Sequence, residues 1–363
     1  MPSGSPAPFR IDPTFAGTVA RPRPPTTDSA ISRLRPPAAC AHPPASACAP
    51  RPSAARRLDE LLGCSNIAAL GAYVTGEFAP GHCSDPFGLT KCTVGNSSVE
   101  PYIAAHNMIL IHATVVRLYR EKYRALQKGI VGVNMLSLWS YPLTNSIADL
   151  QADQRYRDFS LPTSDEEKCR FSSSILNKVQ TELVKGAVDF IGINHYYFLY
   201  VNDRPLVEGV RDYVADRSVS YRVSKTDPPT EQHDPAQYPN DPKGLQLALE
   251  YLREYYGDFP IYIQENGKGS RNDSLLDDTD RVDYIKGYIG GVLDAIRNGV
   301  NVRGYFVWSF VDVLDLLDGY QTRYGLYRVD FDDGALPRRA RRSTRWYSDF
   351  VRSKQDPVLI AQQ

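Results

Sequence analysis

From Pro101 to Gln127 the apolar side chains of Ile103, Ala104, Met108, Ile111, Val115, Leu118 and Tyr119 recur at helical spacing. Glu100 and Pro101 stand at the start of this stretch and Gly129 lies beyond its end, so the pattern predicts one long amphipathic helix. Residues 130–138 follow as a mostly apolar run around Asn134, which predicts a buried strand, and the polar stretch 141–146 predicts its exit loop. Three more strand patterns occur at 188–194 (VDFIGIN), 260–264 (PIYIQ) and 302–310 (VRGYFVWSF). Helical stretches at 243–256 and 280–298 lie between the last of these, with Gly257 and Gly299 where C-terminal stops belong. Strands that are apolar throughout need cover on both faces, so the alternation predicts a parallel sheet in an α/β architecture.

Composition changes this picture at the N-terminus. Residues 1–57 hold thirteen of the 27 prolines and eight arginines, no lysine, and only Asp12 and Asp28 as acids. A segment of that kind has too little apolar surface to fold, so residues 1–57 are expected to be a disordered leader, 58–352 the folded unit and 353–363 a tail. The chain has 42 basic and 42 acidic residues, and this balance removes the electrostatic footprint of a nucleic-acid binder. No apolar run approaches the roughly 18 to 20 residues of a membrane-spanning helix, so no membrane partner is expected. The 23 tyrosines and 13 phenylalanines suit a sugar or aromatic ligand and suit core filling equally well.

The chemistry-bearing residues cluster at strand ends: Asn194-His195-Tyr196-Tyr197, Glu265-Asn266-Gly267, and Trp308-Ser309 with Asp312 and Asp315 beyond. The C-terminal ends of parallel strands are where barrel enzymes keep their active sites. A carboxylate at the tip of an apolar strand is costly unless solvated or hydrogen-bonded, so Glu265 is either a turn residue beside Asn266-Gly267 or a working group. A tyrosine hydroxyl can orient such a carboxylate as a nucleophile, and an indole face can stack on a pyranose.

Between about Asn66 and Phe350 the chain resembles a plant β-glucosidase of glycoside hydrolase family 1. The resemblance rests on ordered stretches: 67–76 (IAALGAYVTG), 78–92 (FAPGHCSDPFGLTKC), 95–106 (GNSSVEPYIAAH), 141–145, 189–196, 261–267 and 304–330. It implies a (β/α)8 TIM barrel and a retaining mechanism with two glutamates. Glu265 in Gln-Glu-Asn-Gly resembles the nucleophile, Tyr196 the tyrosine that hydrogen-bonds it, Asn194 the neighbouring asparagine, and Trp308 the platform beneath the glucose ring. Asp312 belongs to the same motif and is given a structural role. The implied ligand is a small-molecule β-glucoside, with no cofactor and no metal.

Two departures weaken the sugar site. Asp315 stands where the family has a glutamate that clasps the outer hydroxyls, and Leu316 where a tryptophan follows it; the shorter acid and the missing N–H imply weaker glucose binding. A third departure bears on catalysis, because the register of the family's Asn-Glu-Pro triplet here holds Gly63, Cys64 and Ser65. A thiol with an ordinary pKa near 8.5 is a poor proton donor to a glycosidic oxygen, and losing general acid catalysis costs about 10² to 10⁴ in rate. An activated aglycone partly evades that loss, as the thioglucoside-cleaving myrosinases of the family illustrate. The Pro-rich leader has no counterpart of the first strands, so a partial barrel covering roughly the C-terminal half is expected, with open sheet edges that invite self-association. The reading is a β-glucosidase-like chain whose catalysis is lost; the alternative is a non-catalytic carbohydrate or aryl-glucoside binding protein.

The remaining candidates are minor. Cys83 and Cys92 flank a short loop, and the resemblance implies that they pair if the chain meets an oxidising compartment. Cys40, Cys48, Cys64 and Cys169 lack metal-ligand spacing. His106 and His112 lie six residues apart on one helix and read as core or surface histidines. Asn96 and Asn272 open glycosylation acceptor motifs that matter only in the secretory pathway. Family members are secreted or vacuolar, whereas no export signal is recognisable here. The five arginines of 338–345 read as a solvated surface run.

Overall fold

The computed structural model describes residues 65–84, 90–160, 177–205, 213–227, 239–271, 276–316 and 318–353. The leader 1–57, Cys64, Asn272 and all but the first residue of the tail lie outside these residues. At the heart of the described part is a four-stranded sheet of β1 (Gly132–Leu136), β3 (Phe190–Asn194), β6 (Ile261–Asn266) and β7 (Val302–Val307), every pair parallel. The order across the sheet is β1-β3-β6-β7, so the chain always advances in one direction. A doubly wound sheet would reverse that order. Unidirectional winding keeps the crossover helices on one face, and the strands form the arc of a barrel. Among the described residues, β1 and β7 are the two edges of this arc.

The face toward the helices is the main core. Ile191, Ile193, Ile261 and Ile263 pack there with Leu245, Leu249 and Leu252 of α7 (Pro242–Tyr256) and with Tyr284, Ile285, Tyr288, Ile289 and Val292 of α8 (Thr279–Arg297). Both helices end where glycine permits a positive φ, at Gly257 (71°) and at Gly299 (90°). α7 begins on Pro242, whose carbonyl lies 2.3 Å from where a Cβ on Gly291 would sit, so a glycine in mid-helix lets α8 meet the start of α7.

Three differences from the sequence pattern have local causes. The long helix stops at Lys122, as α2 (Glu100–Lys122), because Tyr123 leaves the helical region at φ −122°. A short α3 (Arg124–Gln127) then ends at Lys128 in the left-handed region. Tyr141 and Pro142 are not loop: they close β2 (Trp139–Pro142), which pairs in parallel with β4 (Phe198–Asp203), itself antiparallel to β5 (Val219–Arg222). The Tyr141 ring packs 5.2 Å from Phe198 and its hydroxyl donates to Asp241, and β2 is an edge strand, where a proline costs no ladder bond. β7 ends at Val307, after which the backbone leaves the sheet, the Ser309 N–H donating to the Tyr324 carbonyl (3.2 Å).

Helix α1 (Ser65–Tyr73) carries a device that the pattern did not reveal. The Asn66 side chain donates to the Leu136 carbonyl (2.9 Å) and accepts from the Leu136 N–H (3.1 Å), as the peptide of a neighbouring strand would. It closes the edge of β1 where that strand reaches the active end of the sheet. Asn66→Ala is expected to cost about 1 to 3 kcal/mol, seen as a lower urea midpoint with faster amide exchange at Leu136. An unchanged midpoint and unchanged exchange would show that the amide closes nothing.

Candidate active site

The strand β6 alternates with Ile261 and Ile263 toward the helices, and on that count Glu265 would point into the core. A bulge prevents it. Ile263 pairs with Ile193 and the next pair is Glu265 with Asn194; on the other side Ile263 pairs with Tyr305 and Asn266 with Val307. One extra residue in β6 relative to both neighbours turns Glu265 away from the helices and sends Asn266 into the core.

Asn266 is fully buried and ties three elements together. Its amide donates to the His195 carbonyl (2.6 Å) and to the Tyr284 hydroxyl (3.0 Å), and its oxygen accepts from the Tyr305 hydroxyl (2.6 Å). Tyr284 and Tyr288 in turn donate to the Tyr196 carbonyl at 2.8 and 3.1 Å. The backbone of Tyr196 is thereby fixed from beneath. Its hydroxyl donates to Glu265 Oε2 at 2.5 Å, and the Asn194 side chain hydrogen-bonds the same carboxylate.

Burial raises the pKa of the Glu265 carboxyl, the hydrogen bonds from Tyr196 and Asn194 pull it down, and the negative charge of Asp315 pushes it up again; the net direction is upward. His195 is wholly inside, and burial pulls its imidazole down to about 4 despite the hydrogen bond to the Ser137 carbonyl. It is therefore neutral at physiological pH, its Nδ1–H donating to Ser137. The Trp308 backbone completes the rim: its main-chain N–H donates to the Asn266 carbonyl (2.9 Å), and its carbonyl lies 1.8 Å from where a Gly267 Cβ would be. Only glycine at 267 lets the tryptophan sit so close to the glutamate strand. The Glu265 carboxylate is thus half-buried at a strand end, where a phenol and an amide oppose the upward pull of burial and of Asp315 on its pKa.

Residues 64–356 match the family model described as glycosyl hydrolase family 1. The chain belongs to this family. It is 76% identical over 310 residues to β-glucosidase 2 of Oryza sativa subsp. japonica, a match that covers 82% of this chain and 62% of that protein. Among solved structures it is similar to the rice Os3BGlu6 β-glucosidase, with a TM-score of 0.71 and 31% identity, over 78% of this chain and 64% of that one. A mutant of the same rice enzyme has been crystallised in a covalent complex with Glc. The family 1 chain described here thus spans about three-fifths of the length of these relatives, and its described strands are an arc of the family's TIM barrel.

Within that arc the Tyr196 and Asn194 side chains meet the Glu265 carboxylate, and the Trp308 backbone bonds to Asn266 next to it. Asp315 lies near enough to Glu265 to act on its charge, yet its Oδ1 accepts the Asp318 N–H (3.1 Å) in a turn closed by two backbone bonds to Gly319. Leu316 beside it is 81% exposed. Cys83 and Cys92 are joined as a disulfide, and the exposed Asn96 accepts the Ser98 N–H in its own turn. His112 is buried against the Ala187 carbonyl, which fits the core reading. Among the described residues no cluster of metal-ligating side chains occurs, and no helix is long and apolar enough to cross a membrane.

The arginine run needs correction. Arg338, Arg339, Arg342 and Arg345 are exposed, but Arg341 is only 1% exposed because it forms a two-pronged ion pair with Asp312. The sequence reading also missed Tyr284 and Tyr288, whose one-turn spacing on α8 was the available signal, and it gave Asn266 no role beyond standing next to Glu265 at a strand end.

Carbon-13 NMR of the Glu265 carboxyl is expected to give a titration midpoint above that of an exposed glutamate. Tyr196→Phe removes a donor that stabilises the ionised form, so the midpoint must move further upward. A midpoint that stays put or falls in that variant would contradict the assignment of Tyr196 as donor to the carboxylate.

Proposed function

We propose that this chain binds β-glucosides at the Glu265 end of the sheet and takes the glucosyl group onto Glu265, and that the second half of a retaining cycle has become slow. The observation that carries the reading is the Glu265 carboxylate itself, turned out of the core by a bulge and held by Tyr196 and Asn194 beside Trp308. In the first half-reaction the carboxylate attacks the anomeric carbon and the aglycone leaves with the bonding pair. In the second, water attacks the same carbon, gives up its proton to a base and frees the carboxylate. One acid/base group serves both steps, and in its register, outside the described residues, the sequence has Cys64. Support for the covalent step comes from the rice relative whose mutant holds Glc covalently.

An aglycone that leaves as a stable anion needs no proton, so glucosides of acidic phenols are the substrates this chemistry favours. Unactivated alkyl glucosides lack that escape and should react about 10² to 10⁴ times more slowly than in a relative with the acid in place. With Asp315 and Leu316 at the outer rim, glucose itself should bind weakly.

Incubation with 2,4-dinitrophenyl 2-deoxy-2-fluoro-β-glucoside followed by intact-mass and peptide analysis tests this. One fluoroglucosyl group per chain on Glu265 is expected, and none in Glu265→Gln. Calorimetric binding of an aryl glucoside without any adduct would favour a non-catalytic glucoside-binding protein, and absence of both binding and adduct would refute both readings.

A further inference from the structure

Behind the rim, two arginines and two aspartates meet inside the protein. Asp312 accepts Arg341 Nη1 and Nη2, each at 3.0 Å, and Asp278 accepts Arg281 Nη1 at 3.0 Å. All four side chains are buried. The pairs are joined through one peptide oxygen: the Gly325 carbonyl accepts both Arg341 Nη1 (2.6 Å) and Arg281 Nη1 (2.5 Å). Arg281 also donates to the carbonyls of Arg323 (2.9 Å) and Lys268 (3.2 Å). The carboxylates are equally occupied, Asp312 by the N–H groups of Gly325 and Val329, Asp278 by the N–H and hydroxyl of Ser343.

Burying four charges brings little net stability, because desolvation offsets most of the attraction. What the planar forks do supply is direction, since Arg281 ties three carbonyls and Arg341 ties the Gly325 carbonyl to the Asp312 carboxylate. Two of these carbonyls, those of Arg323 and Gly325, belong to the segment that braces the rim from behind. Residues 324–327 bond back to 309–312, through Ser309 N to Tyr324 O (3.2 Å), Leu326 N to Ser309 O (2.8 Å), Tyr327 N to Phe310 O (3.0 Å) and Asp312 N to Tyr327 O (3.0 Å). Ser309 follows Trp308 directly. Tyr324, for its part, packs edge-on against Tyr196, ring centres 6.1 Å apart, and Tyr196 is the donor to Glu265. Gly325 has no room for a side chain, with the Asp312 nitrogen 2.2 Å from its would-be Cβ, so a shift of the quartet cannot be absorbed there.

We infer that Arg341 and Arg281, through Asp312, Asp278 and the shared Gly325 carbonyl, are positioning residues that set Trp308 and Tyr324 against the Glu265 carboxylate. The assignment rests on the glucoside reading above for its ligand, but the placement of Trp308 does not depend on it. Nothing in the quartet touches the sugar.

The test uses the full chain labelled with 5-fluorotryptophan, which gives three fluorine resonances for Trp139, Trp308 and Trp346; Trp308→Phe assigns one, and Trp139 in β2 is the internal control. Arg341→Lys keeps the charge and loses the fork, and Asp312→Asn with Arg341→Gln removes both charges together should the lysine variant fold poorly. In either variant the Trp308 resonance should shift or broaden while that of Trp139 stays. The fluoroglucoside concentration giving half-maximal labelling should rise about tenfold, the equivalent of one lost orienting interaction, with a smaller change in the maximal labelling rate. A folded variant with an unmoved Trp308 resonance and unchanged labelling would overturn the inference. If unaltered protein takes no label, the glucoside reading fails while the fluorine spectra still decide the positioning role.

Discussion

A carboxylate half-buried at the end of an apolar strand must be kept ionised if it is to attack anything. Desolvation opposes that charge at Glu265, and Asp315 opposes it further. Only the two hydrogen bonds from Tyr196 and Asn194 work the other way. Much of the surrounding structure serves to keep those two donors in place: Asn194 is the last residue of a strand buried along its whole length, and Tyr196 is held by two tyrosines from α8. The bulge in β6 is the complementary requirement, since without the extra residue the carboxylate would face the helices.

The same balance explains what the site is suited to do. On the reading proposed here, the donors that favour the ionised form suit Glu265 to attack, and the second task of glycoside cleavage, proton transfer, falls to another group. The Trp308 side of the site is secured by a different physics. There, buried guanidinium forks hold the Asp312 and Asp278 carboxylates together with the shared Gly325 carbonyl, behind the loop that bears Trp308. Glycine at 267 and at 325 lets the backbones approach that closely.

Much of this was legible in the chain. The apolar strands at 188–194, 260–264 and 302–310, the last of which the structure ends at Val307, the helices between them and their glycine stops follow from periodicity and backbone sterics. The neighbourhood of Glu265, Tyr196, Asn194 and Trp308 was legible because strand ends in a parallel sheet converge. What escaped were features in which a residue type acts against its usual habit. Arg341 looks like surface in a run of arginines, but its partner, Asp312, lies 29 residues away. Asn266 looks like a turn, but a bulge sends it inward. Tyr141 and Pro142 look like loop, but an aromatic cluster from β4 makes them strand. Each depends on a contact distant in sequence that local pattern cannot carry.

We propose that Glu265 captures the sugar and that its release stalls for want of a proton carrier. The decisive measurement is stopped-flow recording of dinitrophenolate release from 2,4-dinitrophenyl β-glucoside, with and without sodium azide. Azide attacks the anomeric carbon without needing a base and frees the carboxylate as glucosyl azide forms. A burst approaching one equivalent per chain, a slow steady state and a marked acceleration of that steady state by azide are expected. Linear release with no burst and no response to azide would overturn the proposal.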